Sequence, residues 1–320
     1  MKKILIILIA CTFTAQAQEF KLSPYTQYLA ENPFVISPTY AGIDSEMSRL
    51  RLAGVAQWLG LDNAPNTQTL SFDTRLNNER SGVGVLLYND KNGNTKQIGG
   101  QLSYAHHLTL NDANEQYLSL GISYKFNHFK IDTDNFFTGN PDEPVDDPGV
   151  GASPSTSNHN FEFGFLYRLE EFFFSLNASN ILNKSVSIFD NSEPLKLRNY
   201  YVYTGYKFIG KNQEYEYEPS LYFKLFEGDG RSITDVNFKA RKITDTGYIW
   251  AGVNGRFFND QSFEFSSIAP LLGLKKDQFY VGYAFQWNIG NATDFNSSGT
   301  HMITLGFDFE NGRGGAGWNN

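Results

Sequence analysis

The sequence predicts an all-β protein: a transmembrane antiparallel β-barrel of about 14 strands, preceded by an irregular N-terminal segment. Three observations predict it. Apolar and polar residues alternate strictly in stretch after stretch. Each stretch is close to the roughly ten residues that a tilted strand needs to cross lipid. The connections between stretches sort by length, short after even strands and longest after odd ones, as the two ends of a bacterial barrel require.

The chain of 320 residues opens with MKKILIILIACTFTAQAQEF. Lys2 and Lys3 form a charged start, Ile4 to Ala10 begin an apolar run, and Ala15-Gln16-Ala17 fits a cleavage site, so residues 1–17 read as an export signal. The apolar run is too short to span a bilayer as a helix. Cys11 is the one cysteine; removal of the signal would leave neither disulfide nor thiol chemistry. Residues 18–48 do not alternate. They contain Asn32-Pro33, Ser37-Pro38 and Ala41-Gly42, and read as an irregular segment, either periplasmic or plugging the lumen.

Strands are expected at 49–58, 67–76, 82–89, 97–110, 117–130, 159–168, 172–179, 199–209, 214–226, 232–242, 247–258, 262–272, 278–288 and 300–310, with a tail at 311–320. LSLGISYKFN at 118–127 is typical: Leu118, Leu120, Ile122, Tyr124 and Phe126 on one face, and Ser119, Gly121, Ser123, Lys125 and Asn127 on the other. The same contrast sets Phe161, Phe163 and Phe165 against Asn160, Glu162 and Gly164, and Ile303, Leu305 and Phe307 against Thr304, Gly306 and Asp308. The expected faces are lipid outside and a charged lumen inside. Strand 82–89 has mixed parity, and Pro270 interrupts 262–272.

The connections near 77–81, 111–116, 169–171, 210–213, 243–246 and 273–277 are short, whereas 131–158, 180–198 and 289–299 are long; the brief 259–261 turn is the expected exception. Trp58, Tyr88, Tyr117, Tyr167, Tyr200, Tyr215, Tyr248 and Trp287 sit near strand ends, where interfacial girdles form.

Net charge is −8, which argues against a nucleic-acid partner. Catalysis is not expected. His106, His107, His128, His159 and His301 meet no G-x-S-x-G elbow, and His106 and His107 lie on opposite faces. No cofactor or metal motif is present. Loop 131–158 carries Asp142, Glu143, Asp146 and Asp147, oxygen ligands of the calcium kind, but without Lys or Arg it reads more simply as a solvated acidic loop and as a surface for a partner. NDKNGNTK at 89–96 reads as a turn between strands.

The stretch QYLAENPFVISPTYAGID resembles the opening of the PorP/SprF family of type IX secretion outer-membrane proteins, through Gln27, Tyr28, Asn32, Pro33, Pro38, Tyr40, Ala41 and Gly42. Arg51, Gln57 and Trp58 resemble its next landmarks, followed by Gly82-Val83-Gly84, Asn89-Asp90, Tyr104-Ala105, Pro219-Ser220 and Gly299-Thr300-His301. Gln286 and Met302 stand where the family usually has acidic residues. The resemblance implies a non-enzymatic protein of the bacterial outer membrane, set in outer-membrane lipid. Such a barrel supports secretion or cell-surface attachment of type IX cargo, in some relatives gliding-motility adhesins. Its implied partners are the C-terminal domain of a large surface protein and the ring or translocon components. A channel for a small solute is the alternative.

Overall fold

The computed structural model describes residues 32–59, 64–77, 80–131, 155–182, 198–260, 262–289 and 299–311. The acidic residues Asp142, Glu143, Asp146 and Asp147, the signal, Gln27 and Tyr28, and residues 312–320 of the tail lie outside the described residues.

Two short 3-10 turns, Pro33–Val35 and Pro38–Tyr40, precede the strands. The strands are β1 (Met47–Gln57), β2 (Asn66–Arg75), β3 (Ser81–Asn92), β4 (Thr95–Asn111), β5 (Gln116–Ile131), β6 (Ser155–Leu169) and β7 (Phe172–Ser179). They continue with β8 (Asn199–Tyr206, prolonged beyond Lys207 by Phe208–Ile209), β9 (Tyr215–Phe226), β10 (Ser232–Thr244), β11 (Gly247–Asp260), β12 (Ser262–Lys276), β13 (Phe279–Asn288) and β14 (Gly299–Glu310). Each strand pairs antiparallel with its sequence neighbour, and β1 pairs with β14 from Met47 opposite Glu310 to Gln57 opposite Thr300. The sheet is therefore a closed barrel of 14 strands.

The alternation reads outward and inward as the sequence predicts. On β5, Leu120, Ile122, Tyr124 and Phe126 are exposed, whereas Ser119, Ser123 and Asn127 are buried. A face with Leu102 at 60% and Leu305 at 48% exposure, backed by fully buried polar groups such as Asp235, is inverted relative to a soluble protein. Only lipid makes that arrangement favourable.

Three details depart from the sequence reading. Among the eight aromatic residues expected at the interfaces, Tyr88, Tyr117 and Tyr248 turn inward. Tyr88 Oη donates to Asn127 Oδ1 at 2.9 Å, Tyr117 lies under Arg168, and Tyr248 packs against a lumenal cluster around Trp250. The 259–261 turn is not the sole short connection at its end. β3 and β4 run to a two-residue turn, 93–94, where Gly93 supplies a φ of 58°, and β9 joins β10 through 227–231. Pro270 interrupts β12 along one edge alone: on the other it sits opposite Val253, on the outer face. The ladder to β13 passes over Ala269 and Pro270, because proline brings no N–H. The β8–β9 ladder is broken in the same way, where Tyr206-Lys207 face Glu218-Pro219.

Several lumenal charges are paired across strands. Arg256 binds Asp235 through two 2.7 Å hydrogen bonds, Lys125 meets Glu162 at 2.9 Å, and Arg241 meets Glu216 at 2.8 Å. At the closing seam Arg51 of β1 pairs with Asp308 of β14, and Lys275 of β12 reaches the second Asp308 oxygen at 2.6 Å. Arg51 also lies 5.0 Å from the Tyr280 ring centre. Asp308 thus ties three strands across the seam. Replacing it by alanine strands two cations in a buried setting, so Asp308→Ala is expected to cost about 3 kcal/mol. A lowered urea midpoint of the folded barrel, followed by its heat-modifiable gel mobility, checks this.

Candidate functional site

The site is built where residues 32–46 meet the lumenal wall. Proline at the start of each 3-10 turn fixes φ, and Ser37 caps the second turn by accepting from Thr39 N at 3.3 Å. The turns bring Phe34, Ile36, Tyr40 and Ala41 inward, all buried. They pack with Leu86, Ala105, Leu166, Tyr201, Tyr203 and Tyr222 in one apolar cluster. Burying Phe34 alone is worth about 1.5–3 kcal/mol. Burial also pushes the Tyr40 phenol above its ordinary value, so it stays neutral.

The wall holds the segment chiefly by its main chain. Asn177 Nδ2 donates to Ile36 O at 2.9 Å. Arg49 Nη2 donates to Tyr40 O at 3.2 Å, and Arg75 Nη2 to Ile43 O at 3.0 Å. His107 is held at both ring nitrogens, Nε2 at 3.0 Å from Ala41 O and Nδ1 at 2.8 Å from Ser119 Oγ. A carbonyl only accepts, so Nε2 carries the proton and Nδ1 accepts from the hydroxyl. Asp73 Oδ2 accepts from Gly42 N at 3.0 Å while Arg49 neutralises it at 2.7 Å. Asn32 Nδ2 donates to Ser71 Oγ at 3.0 Å.

Close approach needs bare backbone. A Cβ on Gly121 would lie 2.6 Å from Thr39 N, and one on Gly164 2.6 Å from Ser37 Oγ. Side chains on Gly82 and Gly84 would overlap the Ala41 carbonyl and the Phe34 ring. Gly42 has φ +60°, the left-handed region, and a Cβ there would stand 2.5 Å from Thr74 O.

The structure brings Asn32, Pro33, Pro38, Tyr40, Ala41 and Gly42 together in this seat. Arg51 belongs to the seam clasp instead, and Gln57 and Trp58 lie at the opposite mouth. There Gln57 N donates to Pro65 O at 3.0 Å and Trp58 N to Gly299 O at 3.2 Å. Sequence reasoning missed Asp73, Arg75, His107 and Asn177 as partners of the segment. One signal was available: Leu86, Leu166 and Tyr222 are apolar residues on polar parity. Met302 is fully buried among Val55, Trp250, Tyr280 and Ala284, and Gln286 Nε2 donates to Asn288 Oδ1 at 2.8 Å. An apolar patch therefore lines the lumen around Met302. Among the described residues no cluster fit to hold a metal ion occurs.

A closed barrel with an apolar outer face and an ion-paired lumen is an outer-membrane β-barrel. The sequence profile of the type IX secretion system membrane protein PorP/SprF matches residues 17–307. The chain belongs to that family, and its place is the bacterial outer membrane. No curated protein matches the chain. Among solved structures it is similar to the CymD monoaromatic hydrocarbon channel, with 11% identity and a TM-score of 0.48, covering 89% of this chain and 92% of that one. It is also similar to the Ralstonia pickettii toluene transporter TbuX, with 10% identity and a TM-score of 0.47, covering 87% and 92%. With CdiB from Acinetobacter baumannii the identity is 6% and the TM-score 0.39, covering 83% of this chain and 60% of CdiB.

The seat makes a direct prediction. Ser37 is fully buried, so a Ser37→Cys variant should resist maleimide. Adding Gly121→Val removes the room for Thr39 and should raise the labelling rate at least about tenfold, a loss near 1.4 kcal/mol of local closure. Stopped-time labelling followed by mass spectrometry checks it.

Proposed function

We propose that this barrel is a binding component of type IX secretion, supporting the export or surface attachment of cargo without catalysis. The seated N-terminal segment carries the reading. A lumen occupied by its own chain suits a docking element better than an open diffusion path. In this reading residues 1–17 are a cleaved export signal, residues 18–48 close the lumen, and residues 49–310 form the barrel. Partners meet the long connections at the mouth opposite the chain termini, including the acidic group Asp142, Glu143, Asp146 and Asp147. The partners are the C-terminal domain of a large surface protein, such as a gliding-motility adhesin, and elements of the ring or translocon.

Affinity purification of the tagged protein from its native outer membrane in mild detergent tests the binding. Co-recovery of a large secreted protein or of machinery components is expected, and deleting residues 138–155 should weaken it while leaving the barrel assembled. Recovery of the barrel alone from actively exporting cells would overturn the reading. In planar bilayers the full chain should show no steady conductance, and removal of residues 32–43 should produce open steps. Steady conductance with the segment in place would instead favour a small-solute channel.

A further inference from the structure

The outer surface over β12, β13, β14 and β1 is indented by a groove of about 460 Å³ near the end where β1 begins and β14 ends. Its walls form two cross-strand rows. The rim row runs Lys276, Phe279, Phe307, Leu50, each opposite the next in the ladder. One step deeper lie Leu274, Val281, Leu305 and Leu52 in the same order. Phe279 meets Phe307 edge to face at 5.3 Å. Gly306 lends the floor its backbone between the rows, and its Cβ position points inward against Arg51 and Tyr280.

The rows match the layers of a leaflet. Aliphatic side chains lie at acyl depth. The aromatic pair and a cation lie at the level of the strand ends, since Lys276 is the last residue of β12 and Phe279 the first of β13. Lys276 makes no ion pair among the described residues, in contrast to Lys275, which turns inward to Asp308. An ammonium beside hydrocarbon is costly unless it reaches an anion at the interface. The start of β1, the end of β14 and connections that are all short lie at this rim, whereas the long ones, 131–158, 180–198 and 289–299, lie at the other; that marks it as periplasmic, so the facing leaflet supplies phospholipid.

We propose that this groove is a binding site for one anionic phospholipid, with an acyl chain against Val281 and Leu305 and the phosphate on Lys276. The inference is independent of cargo and of the lumen. One lysine at a lipid surface is worth about a fivefold preference.

The test uses the full chain purified in detergent, stripped of lipid and titrated with phosphatidylglycerol or phosphatidylcholine under native mass spectrometry. The protein should retain one tightly bound lipid and prefer phosphatidylglycerol about fivefold. Lys276→Gln should bind both lipids alike. Val281→Trp, which fills the groove, should lose the tight site for both; Leu274→Trp serves if that variant fails to fold. Undiminished retention by the filled variant, or an unchanged preference in Lys276→Gln, overturns the proposal.

Discussion

The structure depends on one constraint: in hydrocarbon every backbone N–H and C=O needs a partner within the protein. A sheet meets it only by joining its first strand to its last, and the Met47–Glu310 to Gln57–Thr300 ladder is that join. Closure then divides every strand into an outer and an inner set. The outer set is free to be greasy. The inner set is enclosed, so its charges must be neutralised nearby, as Arg256–Asp235 and Lys125–Glu162 are.

Enclosure also explains the N-terminal segment. A lumen this wide cannot be filled by strand side chains alone, and residues 33–43 supply part of the missing interior. They do so with apolar side chains toward Leu86, Leu166 and the tyrosines, and with carbonyls toward Arg49, Arg75, His107 and Asn177. The glycines at 82, 84, 121 and 164 are the imprint of that contact on the wall. The same barrel is thus lipid-compatible outside and, over part of its inside, built like a soluble core.

Most of the fold was legible because lipid and lumen impose a period of two, which survives in a single sequence. LSLGISYKFN gave both faces of β5 correctly, and fourteen strands emerged with shifts of a few residues. The misreadings share a cause. Mixed parity in β3 looked like a weak strand, but Leu86 is apolar because the segment covers it. Tyr88 looked like an interfacial ring, but its hydroxyl is needed by Asn127. Pro270 looked like an interruption of the whole strand, but only one of its two edges loses hydrogen bonds. Each is a tertiary partnership, and periodicity carries no record of which distant residue fills a space. The seat's polar partners were illegible for the same reason: Asp73 and Asn177 are ordinary lumenal residues until Gly42 and Ile36 lie beside them.

The seat draws its main-chain hydrogen-bond partners from β1 to β7, the first half of the barrel. All of them precede Ser179 in the chain, so the polar part of the seat needs no strand of the second half. The later strands add Tyr201, Tyr203 and Tyr222 to its apolar side, and the β1–β14 join encloses the whole. Once that ring is shut, the segment can leave only through a mouth.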